Sequence, residues 1–453
     1  MKFRDIFRHA AMTAACTAAL SVAGTASGAN WLMLQGTEAP GASPPAKVWG
    51  WIQADYEKDY SKPNAAGGYV APKLLGPDLN SQAAFNVQRA RIGVRGTAFP
   101  IDDGHVNYFI MAEFGNNATT HNGATYTFGK LTDASITLNY LPGARVRAGL
   151  FKYPGAEEGM QGIATMDYID FTEITNGELL ERFPNPGYQA PSTNIAPQTL
   201  SQLQNGSSLN AFNTPVGAFR DVGVQLFDAF ELSNDWELSY AAMVGQGSGI
   251  EFNNVDGKYD TYLYLSLEKK FGTGKGPFAE GLKFFAWSQN GQRLVPDAAS
   301  NPVFYKRDRS GVGMKYLQKP FRVTAEYIKA DGMIWIGPDK PSFVLDPPDY
   351  NVNSLNAQAN GYYVEGGWYI PSTKWELDAR YDTMDRLLNR PDEHRFTKET
   401  LGMQYHFTPR DKVTVNYEFR QFKCIASSVA CTNVNKNLSG VGNKLGVQLT
   451  TIF

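Results

Sequence analysis

The sequence predicts an all-β chain: a 16-stranded antiparallel transmembrane β-barrel with a long inward constriction loop. Three observations carry this. Segment after segment alternates apolar and polar residues with a period of two, as a strand does when its two faces meet different surroundings. The connections between segments alternate, long then short, the pattern of membrane barrels. The polar faces carry full charges, and each unpaired charge in a dry core would cost several kcal/mol, whereas a water-filled lumen holds them without penalty.

Composition agrees. The chain has 453 residues, enough for two or three soluble domains or one large β-fold. A helical membrane protein of this size needs several apolar runs of about 18 residues or more, and beyond the N-terminus there is none. Aromatic residues make up 13% and there are 44 Gly, a mix that suits strands and turns. Residues 1–29 read as a secretory signal peptide. Lys2, Arg4 and Arg8 form a basic start, Ala10 to Val22 an apolar run, and Ala23 to Ala29 a small-residue tract with cleavage after Ala26 or Ala29. The apolar run is too short for a span, and Cys16 inside it is no lipidation site. Residues 30–45 read as a linker, 46–453 as the barrel and 153–218 as its constriction loop.

The strands follow in order. In 46–56, Val48, Gly50, Ile52, Ala54 and Tyr56 oppose Trp49, Trp51, Gln53 and Asp55. In 85–99, Ala90, Ile92, Val94 and Gly96 oppose Arg89, Arg91, Gly93 and Arg95. Asn107 and Glu113 are inner residues of 106–114, and Asp133, Ser135, Thr137 and Asn139 share one side of 131–140. The strand 145–152 precedes 153–218, the longest stretch without sustained alternation. A segment of that length without regular structure is functional or disordered. Alternation resumes over 220–230, 236–244, 259–269, 282–288, 311–317, 321–329 and 362–370. In 375–382, Glu376, Asp378, Arg380 and Asp382 oppose Trp375, Leu377, Ala379 and Tyr381. After 399–407 comes 412–422, where Thr414, Asn416, Glu418 and Arg420 oppose Val413, Val415, Tyr417 and Phe419. In 445–453, Leu445, Val447, Leu449, Thr451 and Phe453 oppose Gly446, Gln448, Thr450 and Ile452. That makes sixteen strands of bilayer-crossing length, joined on one side by short turns at 100–104, 141–143, 232–235, 318–320, 371–374 and 408–411. An even count puts both termini on the short-turn side. Trp236, Trp368, Trp375, Tyr381, Tyr405, Phe407 and Phe453 fall on outer faces near strand ends, where amphipathic rings meet the lipid–water boundary. A soluble sandwich has no reason to keep the loop alternation, and the fixed-period repeats of a propeller are absent.

Cys424 and Cys431 lie together in one polar segment, and in an exported protein a disulfide is the default. No metal site or other cofactor is expected: no His or third Cys lies near them, and none of the five His is at ligand spacing.

Several motifs resemble those of a known family. Gln88-Arg89-Ala90-Arg91-Ile92-Gly93-Val94-Arg95-Gly96 resembles the second-strand motif of the phosphate-selective porin O/P family. Val146-Arg147-Ala148-Gly149-Leu150-Phe151-Lys152-Tyr153-Pro154, followed by Glu157 and Glu158, is similar to that family's strand leading into the constriction loop. Glu178-Leu179-Leu180-Glu181-Arg182 sits where the family carries a Glu-Arg pair. Arg220-Asp221-Val222-Gly223-Val224 and Gly361-Tyr362-Tyr363-Val364-Glu365 match in type and order, and the C-terminal Phe453 resembles the insertion signal of outer-membrane barrels. The resemblance implies a sixteen-stranded, trimeric diffusion channel of the bacterial outer membrane, with outer-membrane lipid and ions in transit as its partners and no nucleic acid.

Beside the resemblance stands the charge pattern. Arg89, Arg91, Arg95 and Arg147 fall on inner faces of neighbouring strands, with Lys152, Arg220 and Arg309 as further basic candidates. One reading is a ladder that draws anions, since lumenal charge tunes selectivity. The other is structural: the arginines pair with Glu113, Asp133, Asp221 and the acidic loop. The loop carries Glu157, Glu158, Asp167, Asp170, Glu173, Glu178 and Glu181 against Arg182, and folded inward it would narrow the pore opposite the arginines. The family's phosphate specialists instead cluster Arg and Lys on that loop, so phosphate selectivity does not carry over. An enzyme in the barrel would need a nucleophile with a base, and there is no G-x-S-x-G; the chain is expected not to be an enzyme. A structural sheath around a partner would need a lumen without its own loop.

Overall fold

Each expected strand pairs with its neighbours in sequence. The structure is a computed structural model that describes residues 30–35, 45–62, 83–97, 104–117, 119–120, 129–180, 217–250, 257–272, 276–296, 302–334, 356–391, 393–427, 431–432, 435 and 440–453. The signal-peptide reading of 1–29, most of the linker, and Glu181 and Arg182 lie outside the described residues. The strands are β1 (Lys47–Asp59), β2 (Ala83–Thr97), β3 (Val106–Glu113), β4 (Lys130–Leu138), β5 (Arg145–Lys152), β6 (Arg220–Glu231), β7 (Trp236–Gly245), β8 (Asp260–Lys270), β9 (Gly281–Pro296), β10 (Pro302–Gln318), β11 (Phe321–Asp331), β12 (Gln358–Tyr369), β13 (Trp375–Arg386), β14 (His394–His406), β15 (Asp411–Cys424) and β16 (Lys444–Ile452).

Every strand is antiparallel to the next, and β16 pairs with β1, from Trp51 opposite Ile452 to Asp59 opposite Lys444. Closure leaves no sheet edge exposed. At the seam Gly50 and Phe453 exchange two backbone hydrogen bonds of 3.0 Å. A Cβ on Gly50 would come within 2.7 Å of the Phe453 ring, so the terminal aromatic lies where only glycine leaves room. Among the described residues no helix is long and apolar enough to cross a membrane.

The two faces separate as alternation requires. On β13 Glu376, Asp378, Arg380 and Asp382 are buried while Trp375, Leu377 and Tyr381 are exposed. On β16 Gln448 and Thr450 point in and Leu449 out. Outward Leu263, Leu265, Val312, Val364 and Leu401 are all exposed; such a belt is at rest only against lipid. Trp368, Trp375, Phe407 and Phe453 lie on the exposed face near strand ends.

Three features depart from simple alternation. Pairing between β1 and β2 shifts at Gln53/Ala54, so Gln88 and Arg89 are both buried; a bulge inserts one extra residue and re-aims its neighbours. A second shift, at Met111/Ala112, does the same for Thr132 and Asp133. β9 and β10 run far past the expected 282–288 and 311–317, pairing up to Val295 opposite Val303. Their outer halves have polar residues on both faces (Asn290 and Gln292 beside Gln289 and Arg293), which erases the period of two while leaving the backbone pairing intact. Finally, the inner wall of β5, β6, β8 and β9 carries aromatic residues among its polar ones. Phe151, Phe227, Tyr262, Tyr264, Phe285 and Trp287 are all buried inside the barrel, because segments folded into the lumen cover them.

Beyond β15, Cys424 and Cys431 are joined by a disulfide with a Cα–Cα distance of 5.2 Å. It spans only seven positions, so its contribution falls near the low end of about 2–4 kcal/mol. Thiol labelling of the unreduced, denatured mature protein should find neither cysteine; full labelling of both would refute the bridge. Replacing both by Ser should lower the unfolding temperature slightly and leave the barrel closed.

Candidate functional site: the inward loop and the lumenal wall

The chain turns inward at Tyr153, after β5. A short helix, α2 (Glu157–Met160), leads to 3-10 and π turns at Ile163–Thr165 and Thr175–Leu179. The loop is described to Leu180, whose carbonyl accepts from Gly217 N at 2.8 Å where the chain returns to β6. Its apolar residues Phe171, Ile174, Leu179 and Leu180 are fully buried. Burying one such side chain contributes roughly 1.5–3 kcal/mol. Two glycines of the wall receive it: a Cβ on Gly361 of β12 would meet Ile174 at 2.9 Å, and one on Gly446 of β16 would meet Ile169 at 2.9 Å.

The described carboxylates of the loop each find a cation on one continuous half of the wall, β9 to β16. Glu157 pairs with Lys283 at 2.6 Å and Lys315 at 3.2 Å. Glu158 lies 3.6 Å from Arg380 and accepts from Thr172 Oγ1 at 2.6 Å. Asp167 pairs with Arg322 at 3.0 Å, Asp170 with Lys444 at 2.5 Å, Glu173 with Lys398 at 3.2 Å and Glu178 with Arg309 at 3.6 Å. Wall cations also take loop carbonyls: Lys412 donates to Met166 O at 2.6 Å, Arg380 to Asp170 O at 3.0 Å and Lys398 to Phe171 O at 3.0 Å. Burial alone would push the Glu157 carboxyl up, but Lys283 and Lys315 hold it below the usual carboxylate range. Lys444 does the same for Asp170. For Glu173 burial wins: its carboxyl is pushed up to about 7 despite Lys398, with Asp382 and Glu418 adding to the rise.

The expected basic residues divide. Arg91 pairs with Glu113 at 2.6 Å and Arg220 with Asp133 at 2.9 Å, so these two hold the wall together. Arg309 donates to Glu178 O, Gly332 O and Met333 O at 2.8–3.0 Å and anchors the loop from the opposite half of the barrel. Lys152 donates to Gln161 O at 2.7 Å. Arg89 and Arg147 differ. Arg89 donates to the amide oxygens of Gln53 and Gln88 at 3.1 and 2.5 Å, and its Nε and Nη2 have no partner among the described residues. Arg147 donates to Thr137 Oγ1 at 3.2 Å and to Gln35 O, and stands 4.4 Å over the Phe227 ring. Arg95 donates to Leu34 O at 3.2 Å. The loop acids and this arginine wall therefore face each other across the lumen, and none of the loop's ion pairs described above involves Arg89, Arg95 or Arg147.

Comparison with known proteins identifies no family for the chain. No family model matches the chain, and no curated protein matches it. Solved structures do. Trimeric, in vitro folded OmpT, an outer membrane protein of Vibrio cholerae, is similar at 12% identity and TM-score 0.49, over 90% of this chain and 99% of that one. The outer membrane channel DcaP of Acinetobacter baumannii is similar at 11% identity and TM-score 0.49, over 90% and 97%. The anion-selective porin from Comamonas acidovorans is similar at 14% identity and TM-score 0.47, over 91% and 100%. The resemblance to phosphate-selective porins thus stands on the quoted motifs alone.

Reading the sequence missed most of the loop's partners. Lys283, Lys315, Arg322, Lys398, Lys412 and Lys444 sit one per strand, and no motif marks them; only their inward parity, as for Arg380, could have found them. It also missed the first described segment. The linker reading of 30–45 gives way here, because α1 (Trp31–Leu34) is a buried helical turn inside the barrel.

The glycine contacts give a direct prediction. Ile174→Asp, at a fully buried loop position, should drive the loop off Gly361 while the barrel still closes. Protease cleavage between residues 153 and 180 should then rise in the detergent-solubilised protein, with heat-modifiability unchanged. Unchanged protection of the loop would show that Ile174 does not dock there.

Proposed function

We propose that this chain is a passive channel of the bacterial outer membrane, a porin that passes small hydrophilic solutes by diffusion and assembles as a homotrimer. The observation that carries the reading is the lumen itself: a closed barrel, apolar outside, with an acidic loop drawn across its interior and a facing wall of arginines. Such a passage sorts solutes by size and by local field. Outer-membrane placement is supported by the signal-like N-terminus and the terminal Phe453, and the trimer by the motif resemblance.

We infer a weak preference for anions. The loop carboxylates are matched by cations of the β9–β16 wall, whereas Arg89 and Arg147 hydrogen-bond to neutral acceptors. Against this, Asp55 and Asp170 act on Arg89 through space, which keeps the preference weak. Charge in a narrow, low-dielectric lumen focuses the field, so these local signs outweigh the net charge of −2. Phosphate specificity is not proposed, because the described loop residues 153–180 carry no Lys or Arg.

Reversal potentials in a salt gradient across a planar bilayer test this. The wild-type channel should favour chloride over potassium. Arg89→Ala with Arg147→Ala should lower the anion/cation permeability ratio about twofold, a change of less than one kT in the lumenal potential. A clearly cation-selective wild type would mean that these arginines are structural.

A further inference from the structure

We propose that residues 30–35 are a plug, bound in a peptide-binding cradle at the short-turn mouth of the barrel. This rests on the channel reading and goes beyond it. The segment is held by β2, β5, β7, β10 and the inward loop. Asn30 Nδ2 donates to Glu237 Oε1 at 2.8 Å and Ser239 Oγ at 2.6 Å, both on β7. Trp31 Nε1 donates to Glu157 Oε1 at 3.1 Å, and Lys315 of β10 stands 5.6 Å over its ring. Gln35 Nε2 donates to Met160 O of the loop at 3.0 Å. From the other side Arg95 of β2 donates to Leu34 O, and Arg147 of β5 to Gln35 O. A Cβ on Gly162 would lie 3.3 Å from the Trp31 ring, so the loop floor is shaped to that indole. Trp31 and Leu32 are 4% and 3% exposed.

The topology makes this an obstruction. β2 and β10 are eight strands apart in the closed sheet of sixteen, so a segment held by both spans from wall to opposite wall. Arg95, Arg147, Glu237 and Lys315 lie within three residues of the short-turn ends of their strands, which puts the obstruction at that mouth. A helical turn of four residues has no stability of its own, since nucleation outweighs its few hydrogen bonds. Nor does a side chain cap it. The cradle therefore supplies the order: an acceptor pair for the Asn30 amide, an apolar floor for Trp31 and Leu32, and guanidinium groups at the C-terminal carbonyls, where cations are favoured. The ligand class is a short peptide with those three features, here supplied in cis.

The test compares the full exported protein with a variant lacking residues 30–36, both checked for heat-modifiability and reconstituted in planar bilayers. Deletion should raise single-channel conductance at least about twofold, because a helix with its side chains is roughly 10–12 Å across. Trp31→Ala in the full chain should raise it in the same direction by less. A synthetic peptide of sequence Asn-Trp-Leu-Met-Leu-Gln, added on the short-turn side, should block the deletion variant, and its Trp-to-Ala analogue should not. Equal conductance of wild type and deletion variant would overturn the plug while leaving the channel reading intact. So would N-terminal sequencing that places the start of the mature chain beyond Gln35. No conductance from either protein would overturn the channel reading, and the plug with it.

Discussion

Six carboxylates of one loop meet seven cations, two from β10 and one each from β9, β11, β13, β14 and β16. Everything inside the barrel depends on that ladder of ion pairs. Its worth is positional. A buried pair gains little over a well-packed apolar pair, yet removing one partner costs about 3–5 kcal/mol. A loop displaced from its register would lose several partners at once. Affinity for the wall comes instead from Ile169, Phe171, Ile174 and Leu179, at roughly 1.5–3 kcal/mol for each buried side chain. Apolar contacts hold the loop down, and charges decide where.

The ladder also fixes what is left over. With Lys283, Lys315, Arg322, Lys398 and Lys444 committed to the loop, the field along the passage is set by the opposite wall. There Arg91 and Arg220 are neutralised by Glu113 and Asp133, and Arg89 and Arg147 donate to neutral oxygens. Glu157 ties the two halves together. It is held by two lysines of the wall, and its Oε1 also receives the indole N–H of Trp31. One carboxylate thereby positions both the loop and the N-terminal segment.

The barrel was legible in the sequence because a period of two survives wherever one face meets lipid and the other water. It failed at β9 and β10, whose ends project beyond the apolar belt: there both faces are polar and nothing alternates. The aromatic residues on the inner face of β8 and β9 were not read from the sequence. Tyr262, Tyr264, Phe285 and Trp287 face a lumen that is locally filled by protein, so aromatic residues are at home there. The acidity of the loop was visible from Glu157 to Glu178, but its partners were not, since they lie up to 274 positions away in sequence. The arginines named from motifs divided into those paired with carboxylates and those donating to neutral acceptors only when their partners were known. Asn30 to Gln35 carried no periodicity at all; the short apolar run Trp31-Leu32-Met33-Leu34 in a polar linker was the one signal.

The account's central claim, that the loop lies registered on the β9–β16 wall, can be tested by cross-linking. A Cβ built on Gly446 lies 4.0 Å from the Ile169 Cβ, within the roughly 3.5–4.5 Å that a disulfide requires. The double variant Ile169→Cys with Gly446→Cys should therefore oxidise spontaneously in the outer membrane, as read by peptide mapping of the unreduced protein. Pairing Ile169→Cys with Tyr264→Cys, on β8 eight strands away in the closed sheet, should give no bond. Failure of the first pair to cross-link, or efficient cross-linking of the second, would contradict the placement of the loop.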